Sequence, residues 1–160
     1  MYVNPNDELL RAFVGKVAGR VGQQAPWVPE LGAYVLSSQS WGALAVKMHH
    51  YFLITRDDNA AAADMDAYTQ ACVTWALSNY QGLPRGLQKG VGVYPVLLQA
   101  QARPDVVAYT KQKPSAHWAA FALPTVVDLS TGRLDFMEQT PVWGFAMWKG
   151  VRKAAVEALG

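Results

Sequence analysis

Near the end of the chain, the seven residues Val142-Trp143-Gly144-Phe145-Ala146-Met147-Trp148 carry no charge on any side. Thr140 and Pro141 precede them as a cap and a first-turn proline, which predicts a helix from Val142 to about Leu159. Its later turns are amphipathic. Val151, Ala154, Ala155, Ala158 and Leu159 share one side, and Lys149, Arg152, Lys153 and Glu157 lie elsewhere. A helix that is apolar all round needs more than one neighbouring layer. Either the chain supplies that layer itself, or Trp143 or Trp148 protrudes toward a partner.

The remaining pattern supplies candidate layers. A first helix is predicted from Asn4 as N-cap, with Pro5 at its first position and Asp7 and Glu8 at its positive end. Leu10, Phe13 or Val14, Val17 and Val21 recur along it at helical spacing. Two strands follow, Ala33–Gln39 and Ala43–Arg56, joined by a turn at Ser40-Trp41-Gly42. A second helix opens at Asp64 and carries Met65, Tyr68, Cys72, Trp75 and Ala76 as one apolar stripe. Leu83–Gly90 reads as a loop and Val91–Gln99 as a strand, in which Pro95 points to an edge, a bulge or a bend. Pro104–Lys111 reads as a short helix. His117–Leu129 is a strand bent at Pro124, and Arg133–Glu138 returns after a turn at Ser130-Thr131-Gly132.

The order is α-β-β-α-β-α-β-β-α. It predicts a single α+β domain over residues 1–160, with a central, at least partly antiparallel sheet of about five strands packed with helices in two or three layers.

Composition narrows the function classes. Of the 160 residues, 51% are hydrophobic and only 16% charged, so the chain has little charge to keep its surface wet and a partner is expected to cover some of it. The net charge of +2 is spread along the chain without a basic run, which makes nucleic acid an unlikely partner. Cys72, the one cysteine, excludes an internal disulfide and reads as a buried small residue. The start MYVNPNDELL lacks the basic and apolar regions of a secretory signal, and no apolar stretch is long enough to span a membrane. The expected location is cytoplasmic, and no cofactor is expected.

Histidines and carboxylates are the candidates for chemistry. His49 and His50 are adjacent in a strand, so they must face opposite sides of a sheet and cannot share one metal. With His117 they are the three histidines of the chain, and their spacing matches no metal motif. Asp57 and Asp58 stand at the strand's end, where carboxylates serve either catalysis or a turn. Asp128, Asp135 and Glu138 would suit a metal-dependent nuclease if a lysine followed an acid two residues on. Met137 and Thr140 stand there instead. No nucleophile elbow or phosphate loop is present.

The sequence reading is a non-catalytic protein-interaction or assembly module. It would bind itself or a protein partner through Val142, Trp143, Phe145, Met147 and Trp148 at the start of the last helix. The alternative is a small hydrolase or nuclease-like enzyme using His49 or His50 with Asp57 or Asp58, joined by His117.

Overall fold

Alternation along two long strands sets the architecture of the computed structural model, which describes residues 3–41, 47–80, 89–113, 120–142 and 144–160, with Lys89 described in its backbone. In β2 (Ala33–Trp41) and β3 (Lys47–Arg56), Leu36, Met48, Phe52 and Ile54 face one side. Ala33, Val35 and Leu53 face the other. Both faces are apolar, so both need a cover. On the first, α1 (Glu8–Val21) and α4 (Phe145–Leu159) contribute Leu10, Val14, Val17, Trp148, Val151 and Ala155. On the second, α2 (Ala62–Asn79) and α3 (Pro104–Thr110) contribute Met65, Tyr68, Cys72, Ala76 and Val106. The fold is therefore α+β in three layers, with one core on each side of the sheet.

The sheet runs β1 (Trp27–Val28), β2, β3, β4 (Lys89–Gln99), β6 (Thr125–Asp128), β7 (Leu134–Asp135), with β5 (Phe121–Ala122) also beside β4. The pairs β1–β2, β2–β3 and β6–β7 are antiparallel. The pairs β3–β4, β4–β5 and β4–β6 are parallel, because α2 and α3 carry the chain back between them. Seven strands replace the expected five. The additions are β1, and the division of the expected His117–Leu129 strand into β5 and β6 around Leu123-Pro124. His117 itself, the beginning of the Ala43 strand and most of the Leu83–Gly90 loop lie outside the described residues.

Pro95 corrects the expectation of an edge position, for it lies inside β4 with strands on both sides. Its register shows why this is tolerated. Val93 pairs with Ala122 and Val96 with Thr125, so Pro95 stands opposite the Leu123-Pro124 gap. The Val93 carbonyl accepts from Leu123 N at 2.8 Å, and by alternation the missing N–H of Pro95 is turned toward the same gap.

Three helix starts differ from expectation. Helix α2 begins at Ala62 and not at Asp64, which lies in its first turn and accepts from Ala61 N at 2.9 Å. Asp7 caps α1, accepting from Leu10 N at 2.8 Å, while Asn4 forms a turn before it by accepting from Asn6 N. Its carboxyl is held below the ordinary range. Burial opposes ionisation there, but the Leu10 N–H and the Arg56 guanidinium outweigh it. At the other end, α4 begins at Phe145 and not at Val142. Gly144 precedes it with φ +64, and a side chain there would run into the Phe121 ring. The Thr140 hydroxyl, expected to cap α4, instead accepts from Arg152 Nη2 at 2.8 Å.

Gly132 turns the β6–β7 hairpin at φ +75, as its sequence predicts. Asp128 fastens that turn by accepting from the Ser130 hydroxyl and from the N–H groups of Ser130 and Thr131. It also accepts from Ala102 N. These donors, the Ser130 hydroxyl first, bring its carboxyl down to about 2.

Candidate functional site

The adjacent histidines of β3 are divided between the two faces, as alternation requires. His49 faces the α2 side, where its ring stands edge-on to Tyr80 at 5.1 Å. His50 faces the α1–α4 side and is 2% exposed. Both of its ring nitrogens are engaged. Nδ1 lies 2.8 Å from the Tyr94 hydroxyl, and Nε2 lies 2.6 Å from the Ser40 hydroxyl. The three residues come from three neighbouring strands, β2, β3 and β4, and all project from the same face.

Gly92 makes the meeting possible. It is the register partner of His50 in β4. A Cβ placed on it would lie 3.1 Å from the Tyr94 hydroxyl and 3.2 Å from His50 Nδ1. The absent side chain is therefore the space in which phenol and imidazole join. Phe52 stacks on Tyr94 at 4.5 Å and lies parallel to His50 at 6.4 Å, closing the group against water.

This burial decides the protonation. It pushes the His50 imidazolium down to about 4, with His49 adding to the effect. It pushes the Tyr94 phenol far up. Both groups are neutral at physiological pH. Among the described contacts the Tyr94 hydroxyl meets only His50 Nδ1, so the phenol donates to that nitrogen and Nε2 carries the ring proton. Nε2–H then donates to Ser40 Oγ, which leaves the Ser40 hydroxyl proton for another acceptor. Proton abstraction from a serine requires a base that is stabilised once charged. Here the imidazolium would have no carboxylate beside it among the described contacts, and the chain Tyr94–His50–Ser40 holds the hydroxyl in place.

Ser40 opens into a cleft of about 320 Å³ between β2, β3 and α4. Met48, His50 and Phe52 form the floor, while Met147, Gly150 and Ala154 form the α4 wall. Trp41, Arg20, Lys153 and Glu157 stand around it. The two cations are already engaged. Arg20 donates to the carbonyl oxygens of Ala158 and Gly160, and Lys153 pairs with Glu157 at 3.6 Å.

The expected partners of the histidines are elsewhere. Asp57 accepts from Asn59 N, as a turn residue does. Asp58 pairs with Arg56 at 3.0 Å and accepts from Ala100 N. Seven residues of extended chain part Asp57 from His50, roughly 23 Å along the strand. The described structure thus places no carboxylate of that pair at His50 or His49, and His117 lies outside the described residues. Among the described residues, no group of three or more His, Cys, Asp or Glu side chains is arranged to hold a metal ion.

The start of α4 separates into exposed and buried residues. Val142 is 92% exposed and Phe145 69%. Met147 is half-buried against the core and lines the cleft. Trp148, expected on the binding surface, is fully buried, with its ring edge-on to Phe121 at 5.3 Å. The α1–α4 layer and the sheet together enclose it, so it belongs to the core and leaves the candidate surface. Trp143 lies outside the described residues.

Ser40, Tyr94 and Gly92 were not singled out by the sequence reading. The signal available for them was a serine and a glycine falling on the same strand face as His50, which becomes visible only when the pairing register is known.

No family model matches the chain, and neither a curated protein nor a solved structure is significantly similar to it. Among the described residues, no helix is long and apolar enough to cross a membrane.

Proposed function

We propose that the chain is a non-catalytic interaction or assembly module that binds itself or a protein partner through the start of α4. The observation that supports this reading is the exposure of Val142, 92%, just before α4, and of Phe145, 69%, at its first position, on a helix that Trp148 anchors in the core. A rigidly seated helix carrying large apolar side chains in water is what a protein interface uses as an anchor. Trp41, 74% exposed at the end of β2, adds a further aromatic side chain to the surface. The low share of charged residues agrees with a surface that is covered in use.

Light scattering after size exclusion tests the reading. The wild-type chain is expected to associate, and Val142→Glu combined with Phe145→Glu is expected to remain folded and to lose association. A wild-type chain that stays monomeric at high concentration removes self-assembly. Association that survives the double substitution removes this surface as its cause.

A further inference from the structure

Apart from Trp41, the cleft beside α4 has a lining that the interaction reading does not use. Its volume, about 320 Å³, lies at the lower end of the range for small-molecule sites, which suits one or two fused rings. Its lining is soft and flat. Met48 and Met147 are polarisable and adaptable, and Phe52 and Trp41 are aromatic. At Gly150 an added Cβ would meet nothing within 4 Å, so the α4 wall stands back from the floor at that point. A glycine inside a helix costs about 1 kcal/mol relative to alanine, and here it leaves room and not a helix contact.

Ser38, Gln39 and Ser40 of β2 give the cleft its uncharged polar edge. Both His50 nitrogens are engaged within the protein, so the Ser40 hydroxyl is the group that the buried chain presents outward. With Nε2–H donating to Ser40 Oγ, that hydroxyl has a proton left to donate. It is fixed from behind by a buried imidazole and a buried phenol, so little freedom is lost when it bonds to a ligand. The neighbouring charged groups are already engaged within the protein, Lys153 with Glu157 and Arg20 with the backbone oxygens of Ala158 and Gly160 at the end of α4.

We infer that this cleft is a binding site for a neutral aromatic small molecule bearing a carbonyl acceptor, with the carbonyl accepting from the Ser40 hydroxyl and the ring lying against Met48 and Met147. The site is independent of the exposed start of α4, and it stands or falls without it.

Titration of the isotopically labelled chain with benzamide, followed by amide chemical shifts, tests the inference, with benzoate as the charged counterpart of the same shape. Dissociation constants on the order of 1 mM are expected for molecules of this size. Saturable shifts are expected at Ser40, Met48 and Gly150, with benzoate bound at least several-fold more weakly. Ser40→Ala should weaken benzamide several-fold, and Gly150→Leu, which projects into the cleft, should abolish its binding. Circular dichroism of both variants establishes that they remain folded. The inference is overturned if benzamide produces no saturable shift around the cleft. It is also overturned if benzoate binds as well as benzamide, or if folded Ser40→Ala and Gly150→Leu chains bind benzamide like the wild type.

Discussion

Thr125 gives Leu123 the hydrogen bond that its β4 neighbour cannot give. Its hydroxyl donates to the Leu123 carbonyl at 3.1 Å, and the backbone position facing that carbonyl in the register is Pro95, which has no N–H. A central strand thus tolerates a proline because a side chain on the next strand supplies the missing donor.

This pairing makes a double-mutant cycle informative. Thr125→Val should destabilise the chain by about 1–2 kcal/mol, because the buried carbonyl of Leu123 loses its donor. In a Pro95→Ala background the restored N–H can serve that carbonyl, so the same substitution should cost measurably less. Urea unfolding of the four proteins measures the difference.

His50 predicts a loss of stability in mild acid. Unfolded, its imidazole takes a proton near the ordinary 6.5, whereas in the folded chain it does so only near 4. As the pH falls through this interval, the unfolded chain is protonated first. The contribution of the neutral buried ring is complete above about 6.5, declines toward pH 4 and changes no further below it. The full loss is about 3 kcal/mol. Unfolding free energies of wild type and His50→Leu, compared from pH 7 to pH 4, should converge by that order. Parallel curves would contradict the assignment.

Gly92 should resist enlargement. Gly92→Val brings atoms against the Tyr94 hydroxyl and His50 Nδ1, where a Cβ alone is already at 3.1 and 3.2 Å. The expected cost is about 1–3 kcal/mol, as for other overpacked core sites. Denaturant unfolding checks the effect.

The two aromatic residues at the start of α4 should behave differently on truncation. Trp148→Ala empties a fully buried site and should cost about 3–5 kcal/mol. Phe145→Ala, on the exposed side, should change monomer stability by no more than about 0.5 kcal/mol. Comparable losses in chemical denaturation would contradict the described division of that helix.

The parts of this fold that were legible in the sequence are those governed by near neighbours. Pro104 marks the first position of α3, Gly132 the hairpin turn, and the spacing of Leu10, Val14 and Val17 the buried side of α1. The opposite facing of His49 and His50 follows from alternation alone. What escaped depends on contacts between distant segments. The start of α4 is set by the ring of Phe121 against Gly144, and the place of Pro95 by the gap in the strand beside it. The same holds for the site. His50 was recognisable as a polar residue in an apolar strand, but its partners Ser40 and Tyr94 are set by the antiparallel register of β2 and the parallel register of β4. Asp57 and Asp58 attracted attention by closeness in sequence, which an extended strand converts into distance.

Arg20 at the end of α1 reaches the carbonyl oxygen of Ala158 at the end of α4. Helix α1 therefore shares its layer with α4, the helix farthest from it in sequence among the described elements. While the ribosome is still extending the chain, Leu10, Val14 and Val17 can settle on the emerging β2–β3 hairpin, yet the flank that α4 will occupy stays open until translation of the described elements is finished. Until α4 emerges, the apolar face that it covers stays open to water, the kind of surface through which partly folded chains aggregate.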